Sequence, residues 1–182
     1  LEGEGLAGTI EFFPEEGKYH FDGHRKCHLC LSPTEAEKYH GKCPVCGRKL
    51  TIGVSHRVEQ LADREEGFVL PGAKAFESLV PLPEVIAAST GHSATSRKVE
   101  NQYYEMLSAL GSEFSILREL PIEDIQKVSG RLTAEGIRRL REGKVERRPG
   151  YDGEYGTIRL FDQMELDGMD GQLSLFTGVE MA

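Results

Sequence analysis

The spacing of apolar residues changes character along the chain and divides it into a β-type half and a helical half. Thr9-Ile10-Glu11-Phe12-Phe13-Pro14 and Lys18-Tyr19-His20-Phe21 are aromatic-rich runs around Glu15-Glu16-Gly17, a pattern that predicts a β-hairpin. Leu50, Ile52 and Val54 alternate with Thr51 and Gly53 and predict a third strand. From His56 the period lengthens, with Val58, Leu61 and Ala62 marking a short helix. Residues 65–75 are rich in Gly, Glu and Pro and read as a linker. Beyond them Pro83 sits like a first-turn proline, with Val85 and Ile86 behind it. Val99, Tyr103, Leu107 and Leu110 mark one face of a longer helix that stops at Gly111. Ile122 to Val128 and Thr133 to Glu142 predict two more helices, the second ended by Gly143. After Pro149 the periodicity is lost, and the last thirty residues read as loose.

Composition adds limits. With 182 residues and 38% hydrophobic positions the chain is an ordinary globular protein, one domain or two small ones. It contains no apolar run long enough to span a bilayer. Leu1-Glu2-Gly3-Glu4-Gly5 reads as a cut edge, so a piece of a longer protein is expected. The net charge of −8 argues against a uniformly basic nucleic-acid coat, but the average hides segregation. Lys18 to Lys49 and Arg131 to Arg148 each hold seven basic residues against three acids, whereas Asp152 to Ala182 holds seven acids against Arg159. Two basic patches and an acidic tail suit a DNA-associated protein; solvated helix faces and a solubilising tail give the same numbers.

One internal echo is visible. Glu84, Ile86, Thr90 and Gly91 recur 39 residues later as Glu123, Ile125, Ser129 and Gly130, each time as a short helix, a glycine turn and a longer helix with basic residues. That resembles paired helix-hairpin-helix units, which aim turn amides at phosphates. Leu132 stands where the second turn glycine is usual.

All four cysteines fall in Cys27-x2-Cys30-x12-Cys43-x2-Cys46, the spacing of two knuckles closing a tetrahedron of thiolates around one structural zinc. Pro44 shapes the second turn and Gly47 follows its last ligand. A disulfide framework is the alternative, without a secretory signal to support it. Four cysteines leave no open position for catalysis. His20, His24, His28 and His40 could compete as ligands, but beside four cysteines they read as surface or DNA-facing residues. His24-Arg25 and His56-Arg57 flank the module, and no phosphate loop, nucleophile elbow or HExxH occurs. The fold expected is α+β. It comprises a β-hairpin plus four-cysteine zinc-ribbon module over 1–64, a linker over 65–75, a small helical domain over 76–148, and an extended segment with a flexible acidic tail over 149–182.

The run Gly8-Thr9-Ile10-Glu11-Phe12-Phe13-Pro14-Glu15-Glu16-Gly17-Lys18-Tyr19-His20 resembles the segment that follows the catalytic PHP domain in endonuclease Q-like proteins. The zinc module, the run His56–Arg64, Gly111-Ser112-Glu113-Phe114 and Pro149-Gly150-Tyr151-Asp152-Gly153-Glu154-Tyr155-Gly156 continue the likeness over roughly residues 5–161. The resemblance implies a bacterial or archaeal DNA-repair endonuclease whose metal-binding PHP domain cleaves 5′ to deaminated bases such as uracil and hypoxanthine. Some relatives carry a UvrD-type helicase after this region. The PHP metal ligands would lie upstream of Leu1, so no catalytic residue transfers to this chain.

Gln172-Leu173-Ser174-Leu175-Phe176 resembles the short peptide by which bacterial repair and replication proteins dock on the β sliding clamp, an orienting Gln with two apolar anchors. The reading is therefore a non-catalytic, zinc-binding and DNA-engaging region, a cytoplasmic monomer in bacteria, tethered to the clamp. Its expected backbone contacts are Arg25, Lys26, Arg48, Lys49, Arg97, Lys98, Arg138, Arg139 and Arg141. The rival reading is an adaptor or accessory region of a UvrD-type helicase with little DNA affinity of its own.

Overall fold

Ser32-Pro33-Thr34-Glu35 carries its own helix start: the Ser32 hydroxyl accepts from the Glu35 amide, the Glu35 carboxylate accepts from the Ser32 amide, and Pro33 opens the helix. The apolar period does not announce that helix, α1 (Pro33–Glu37), because it is only five residues long. A computed structural model describes residues 5–162 and 164–166. In chain order the elements are β1 (Gly8–Glu11), β2 (Asp22–His24), β3 (Leu29–Leu31), α1, α2 (Val54–Leu61), β4 (Ala75–Ser78), α3 (Leu82–Thr90), α4 (Arg97–Leu110), α5 (Glu113–Arg118), α6 (Ile122–Ser129), α7 (Arg131–Arg141), β5 (Glu146–Arg148) and β6 (Thr157–Arg159). The fold is α+β. The chain forms two units: residues 1–79 with 147–158, and residues 80–146 with 159 onward. Residues 147–158, with 147–148 expected to close the helical domain and 149–158 to open the extended segment, thus belong to the first unit.

The first unit is built from pairs of short strands. β2 and β3 are antiparallel, with Asp22 opposite Leu31, Gly23 opposite Cys30 and His24 opposite Leu29. The expected hairpin between Thr9–Pro14 and Lys18–Phe21 does not form. Pro14–Glu16 coils into a single 3₁₀ turn, and β1 pairs in parallel with β4, Gly8 opposite Ala75 through Glu11 opposite Ser78. Phe21 is bridged instead to Tyr151, its amide donating to the Gly150 carbonyl at 2.9 Å. The expected third strand is reduced to Thr51, bridged to Gly23, because α2 begins at Val54. Leu31, Ala36, Cys43 and Leu50 form a small buried core, with Cys27 and Leu29 packed against it.

The second unit is helical, as the period predicts. α3, α4, α6 and α7 lie where Val85, Val99, Ile125 and Ile137 place them, and these residues are buried with Leu82, Ile86, Met106, Ile116 and Leu117. The short α5 has no counterpart in the apolar pattern, although Ser112 caps it by accepting from the Ser115 amide. The 39-residue echo has a structural counterpart. Thr90 donates its hydroxyl to the Ile86 carbonyl and Ser129 donates to the Ile125 carbonyl, in each case just before the glycine that ends the short helix. Both glycines, Gly91 and Gly130, have positive φ, at 67° and 83°.

Candidate metal centre

Sequence and backbone geometry bring two tight turns together in the first unit. The first lies between β2 and β3: Arg25–Cys27 make one 3₁₀ turn, and His28 at φ 50° reverses the chain, its amide donating to the Arg25 carbonyl. The second is Cys43-Pro44-Val45-Cys46-Gly47, closed by the Gly47 amide on the Cys43 carbonyl at 2.8 Å. The Cys43 amide donates back to the Arg48 carbonyl at 2.7 Å.

These turns gather His24, Cys27, Cys43 and Cys46, whose ligand atoms all lie within 4.8 Å of one another. His24 Nδ1 is 3.5 Å from Cys46 Sγ. Ligands in a tetrahedron with metal–sulfur bonds near 2.3 Å stand about 3.8 Å apart, so three sulfurs and one imidazole at this spacing could hold one such ion. Burial works to raise the Cys43 thiol. The Cys46 and Val45 amides that donate to its sulfur, with the neighbouring thiols, outweigh that and leave it below its ordinary value. Burial and hydrogen bonds to Cys46 and Cys43 push Cys27 up to about 11. Backbone amides thus favour the charged form of Cys43.

The group differs from the expected Cys27, Cys30, Cys43 and Cys46 by one residue: His24 stands in and Cys30 stands out. The reason is strand alternation. Cys30 is opposite Gly23, so its side chain projects from the face of the β2–β3 pair opposite to that of His24 and Leu29. There its Sγ lies 3.9 Å from the Pro149 carbonyl, and burial, with Glu35 and Asp22 nearby, pushes the thiol up to about 11. Gly23 is required on the same face: a Cβ there would lie 2.5 Å from Tyr151 Cδ2. The spaced pair within the group is His24-x2-Cys27, and the signal for it is the histidine three residues before the first cysteine.

Around the group, Asp22 is fully buried and accepts from the Gly53 amide at 2.7 Å and from His56 Nδ1 at 2.6 Å, tying β2 to the start of α2. Arg25, Lys26, Arg48 and Lys49 are exposed, and none of their cationic heads enters an ion pair among the described residues. Arg97 and Lys98 are likewise exposed at the start of α4.

The three arginines of α7 are placed differently. Arg138 is held by Glu135 and Glu142. Arg139 is held by Glu135, Glu165 and the Leu160 carbonyl, and lies over the Phe161 ring at 4.7 Å. Arg141 donates three hydrogen bonds to the carbonyls of Leu117, Leu120 and Ile116, completing the end of α5. Their charge and donors are engaged within the unit. Gln172, Leu173, Ser174, Leu175 and Phe176 lie outside the described residues. No described helix is long and apolar enough to cross a membrane.

The described residues thus form an α+β chain with one histidine and three cysteines able to hold a metal ion in the first unit and a second, helical unit. Residues 81–144 match the family described as the MJ0043 C-terminal domain. Among curated proteins, the chain is 34% identical over 148 residues to the uncharacterized protein MJ0043 of Methanocaldococcus jannaschii, covering 80% of this chain and 18% of that protein. It is 30% identical over 147 residues to the uncharacterized protein YqxK of Bacillus subtilis, covering 80% of this chain and 34% of that protein. Among solved structures it is similar to the lesion-specific endonuclease PfuEndoQ of Pyrococcus furiosus, at 31% identity and a TM-score of 0.73, over 87% of this chain and 40% of that one. It is also similar to endonuclease Q in complex with a 27-mer duplex substrate bearing an abasic lesion at the active site, at 32% identity and a TM-score of 0.71, over 86% of this chain and 39% of that one. The chain therefore spans well under half the length of each of these relatives.

Proposed function

We propose that this chain is the zinc-stapled, DNA-engaging region of an endonuclease Q-like DNA-repair protein, with the chemistry of strand cleavage in a PHP domain outside it. The observation that carries this reading is the likeness to endonuclease Q over 86–87% of the chain, one of those structures holding duplex DNA. His24, Cys27, Cys43 and Cys46 would hold Zn²⁺. A closed set of one histidine and three cysteines leaves no position for substrate, so the ion is a structural staple, and such sites contribute on the order of 10–16 kcal/mol to small domains. The staple suits a first unit in which, among the described residues, the core cluster beside the group consists of Leu31, Ala36, Cys43 and Leu50.

Arg25, Lys26, Arg48 and Lys49 are the phosphate contacts of the first unit, and Arg97 and Lys98 those of the second. The α3–Gly91–α4 and α6–Gly130–α7 pairs act as helix-hairpin-helix units that offer turn amides to the backbone. Arg138, Arg139 and Arg141 serve the fold, because releasing them for phosphate would break the ion pairs and carbonyl contacts they already make. The parent protein acts on deaminated bases, and the Gln172–Phe176 peptide tethers it to the sliding clamp.

Fluorescence anisotropy of the zinc-loaded chain on uracil-containing and undamaged duplexes across a salt series tests this reading. Binding that weakens steeply with salt supports it, and a preference for uracil adds lesion recognition to this region. No binding to either duplex contradicts it and favours the accessory region of a UvrD-type helicase, which rests on the acidic tail and the clamp peptide.

A further inference from the structure

Tyr151-Asp152-Gly153-Glu154 forms a two-residue hairpin turn, the Tyr151 amide donating to the Glu154 carbonyl at 3.0 Å and the Glu154 amide donating back at 2.8 Å. Asp152 and Gly153 both have positive φ, at 45° and 88°, the requirement of a type I′ turn. That backbone would be served by Asn or Gly at position 152. The side chain does something the turn does not need. One carboxylate oxygen accepts from the Arg25 amide at 2.6 Å and the other from the Thr51 hydroxyl at 2.5 Å. Arg25 is the residue after His24 and opens the turn that delivers Cys27. Thr51 is bridged through both backbone bonds to Gly23, the residue before His24. A single carboxylate, 127 residues further along the chain than Arg25, thus clamps the backbone on both sides of His24.

We propose that Asp152 is a positioning residue of the metal centre: it sets the His24–Cys27 spacing, so the returning segment 147–158 and the metal site form together. The segment is fastened along its length, with the Gly150 amide on the Glu15 carbonyl, the Gly153 amide on the Lys18 carbonyl and the Gly156 amide on the Glu16 carbonyl. The inference rests on reading His24, Cys27, Cys43 and Cys46 as a zinc site.

The test is Zn²⁺ affinity by competition with a chromophoric chelator, on the full chain and on Asp152→Asn, Asp152→Ala and Thr51→Val. Asp152→Asn keeps the turn and the acceptor for the Arg25 amide, but it removes the charge and turns an NH₂ towards Thr51, which must then accept instead of donate. The expected result is a loss of about 10-fold in Asp152→Asn and up to about 100-fold in Asp152→Ala, the usual range for partners that orient ligands. Thr51→Val, which leaves the Arg25 contact intact, loses less. Melting of the zinc-free proteins is measured beside this, and a positioning role leaves Asp152→Asn and the parent chain alike there. In hydrogen exchange, chelating the metal should expose the Phe21, Gly150 and Gly153 amides of the parent chain. Zinc affinity in Asp152→Asn and Thr51→Val equal to that of the parent chain overturns the proposal. A parent chain that binds no zinc overturns the zinc reading beneath it, which is a different result.

Discussion

A single side chain separates the metal centre expected from spacing from the group of candidate ligands the fold assembles. Cys27-x2-Cys30 reads as a knuckle, but residues 29–31 are a strand, and alternation turns Cys30 away while His24 faces the group. The account predicts that Cys30→Ser retains one metal ion per chain at parental affinity, whereas His24→Ala loses at least about tenfold, read by chelator competition. The sequence carries the ligand types and three of the four positions. The fourth is not legible, because a pair of x2 cysteines and a His-x2-Cys pair look equally good until the register of β2 and β3 is known. Asp152 stands out in the sequence only within a family-like run, and its contacts with Arg25 and Thr51 arise from a return of the chain that spacing cannot show.

Among the elements, the longer helices are legible, whereas the short α1 and α5 and the strand pairs are not. α3, α4, α6 and α7 each bury a stripe at helical period, so Val85, Val99, Ile125 and Ile137 announce them. β1 pairs with β4 in parallel across a separation of 67 residues, and no local pattern encodes such a partner. The α7 arginines illustrate the same limit for charge: a run of like charge reads as a patch, whereas Glu135, Glu142 and Glu165 neutralise Arg138 and Arg139 in the folded unit.

Two outcomes follow at this scale. Arg141→Ala, which strands the Ile116, Leu117 and Leu120 carbonyls, should destabilise the helical unit by about 2–3 kcal/mol in denaturant melts while leaving any DNA salt slope unchanged. Hydrogen bonds from Arg138 lead in lowering Glu135, and those from Arg139 in lowering Glu165, each to about 2. A depressed carboxylate adds stability above its unfolded pKa and loses it as pH falls through the folded one. Acid melts should therefore show the helical unit weakening between about pH 4.5 and pH 2. Glu135→Gln should be less stable at neutral pH and lose less on acidification; a parallel pH profile for both proteins would remove the ion-pair network from the account.

For the whole molecule, the net charge of −8 conceals the two basic stretches, Lys18 to Lys49 and Arg131 to Arg148. With Arg138 and Arg139 in ion pairs and Arg141 on backbone carbonyls, the proposed function assigns the phosphate backbone to Arg25, Lys26, Arg48 and Lys49 of the first unit and to Arg97 and Lys98 of the helical one, all of them exposed. In the proposed function the metal contributes no chemistry of its own but fixes the two turns in or beside which the first four lie. This ties the staple to the grip: a chain stripped of metal should lose DNA affinity together with the order of those turns.

The measurement that tests this most directly is the salt dependence of duplex binding for the zinc-loaded parent chain beside Arg48→Ala/Lys49→Ala and Arg138→Ala. Each lost phosphate contact lowers the slope of log affinity against log salt by about 0.9. The account predicts a slope reduced by about 2 in the double variant and unchanged in Arg138→Ala. An unchanged slope in the double variant, with a reduced one in Arg138→Ala, would move the grip to the helical unit and contradict the account.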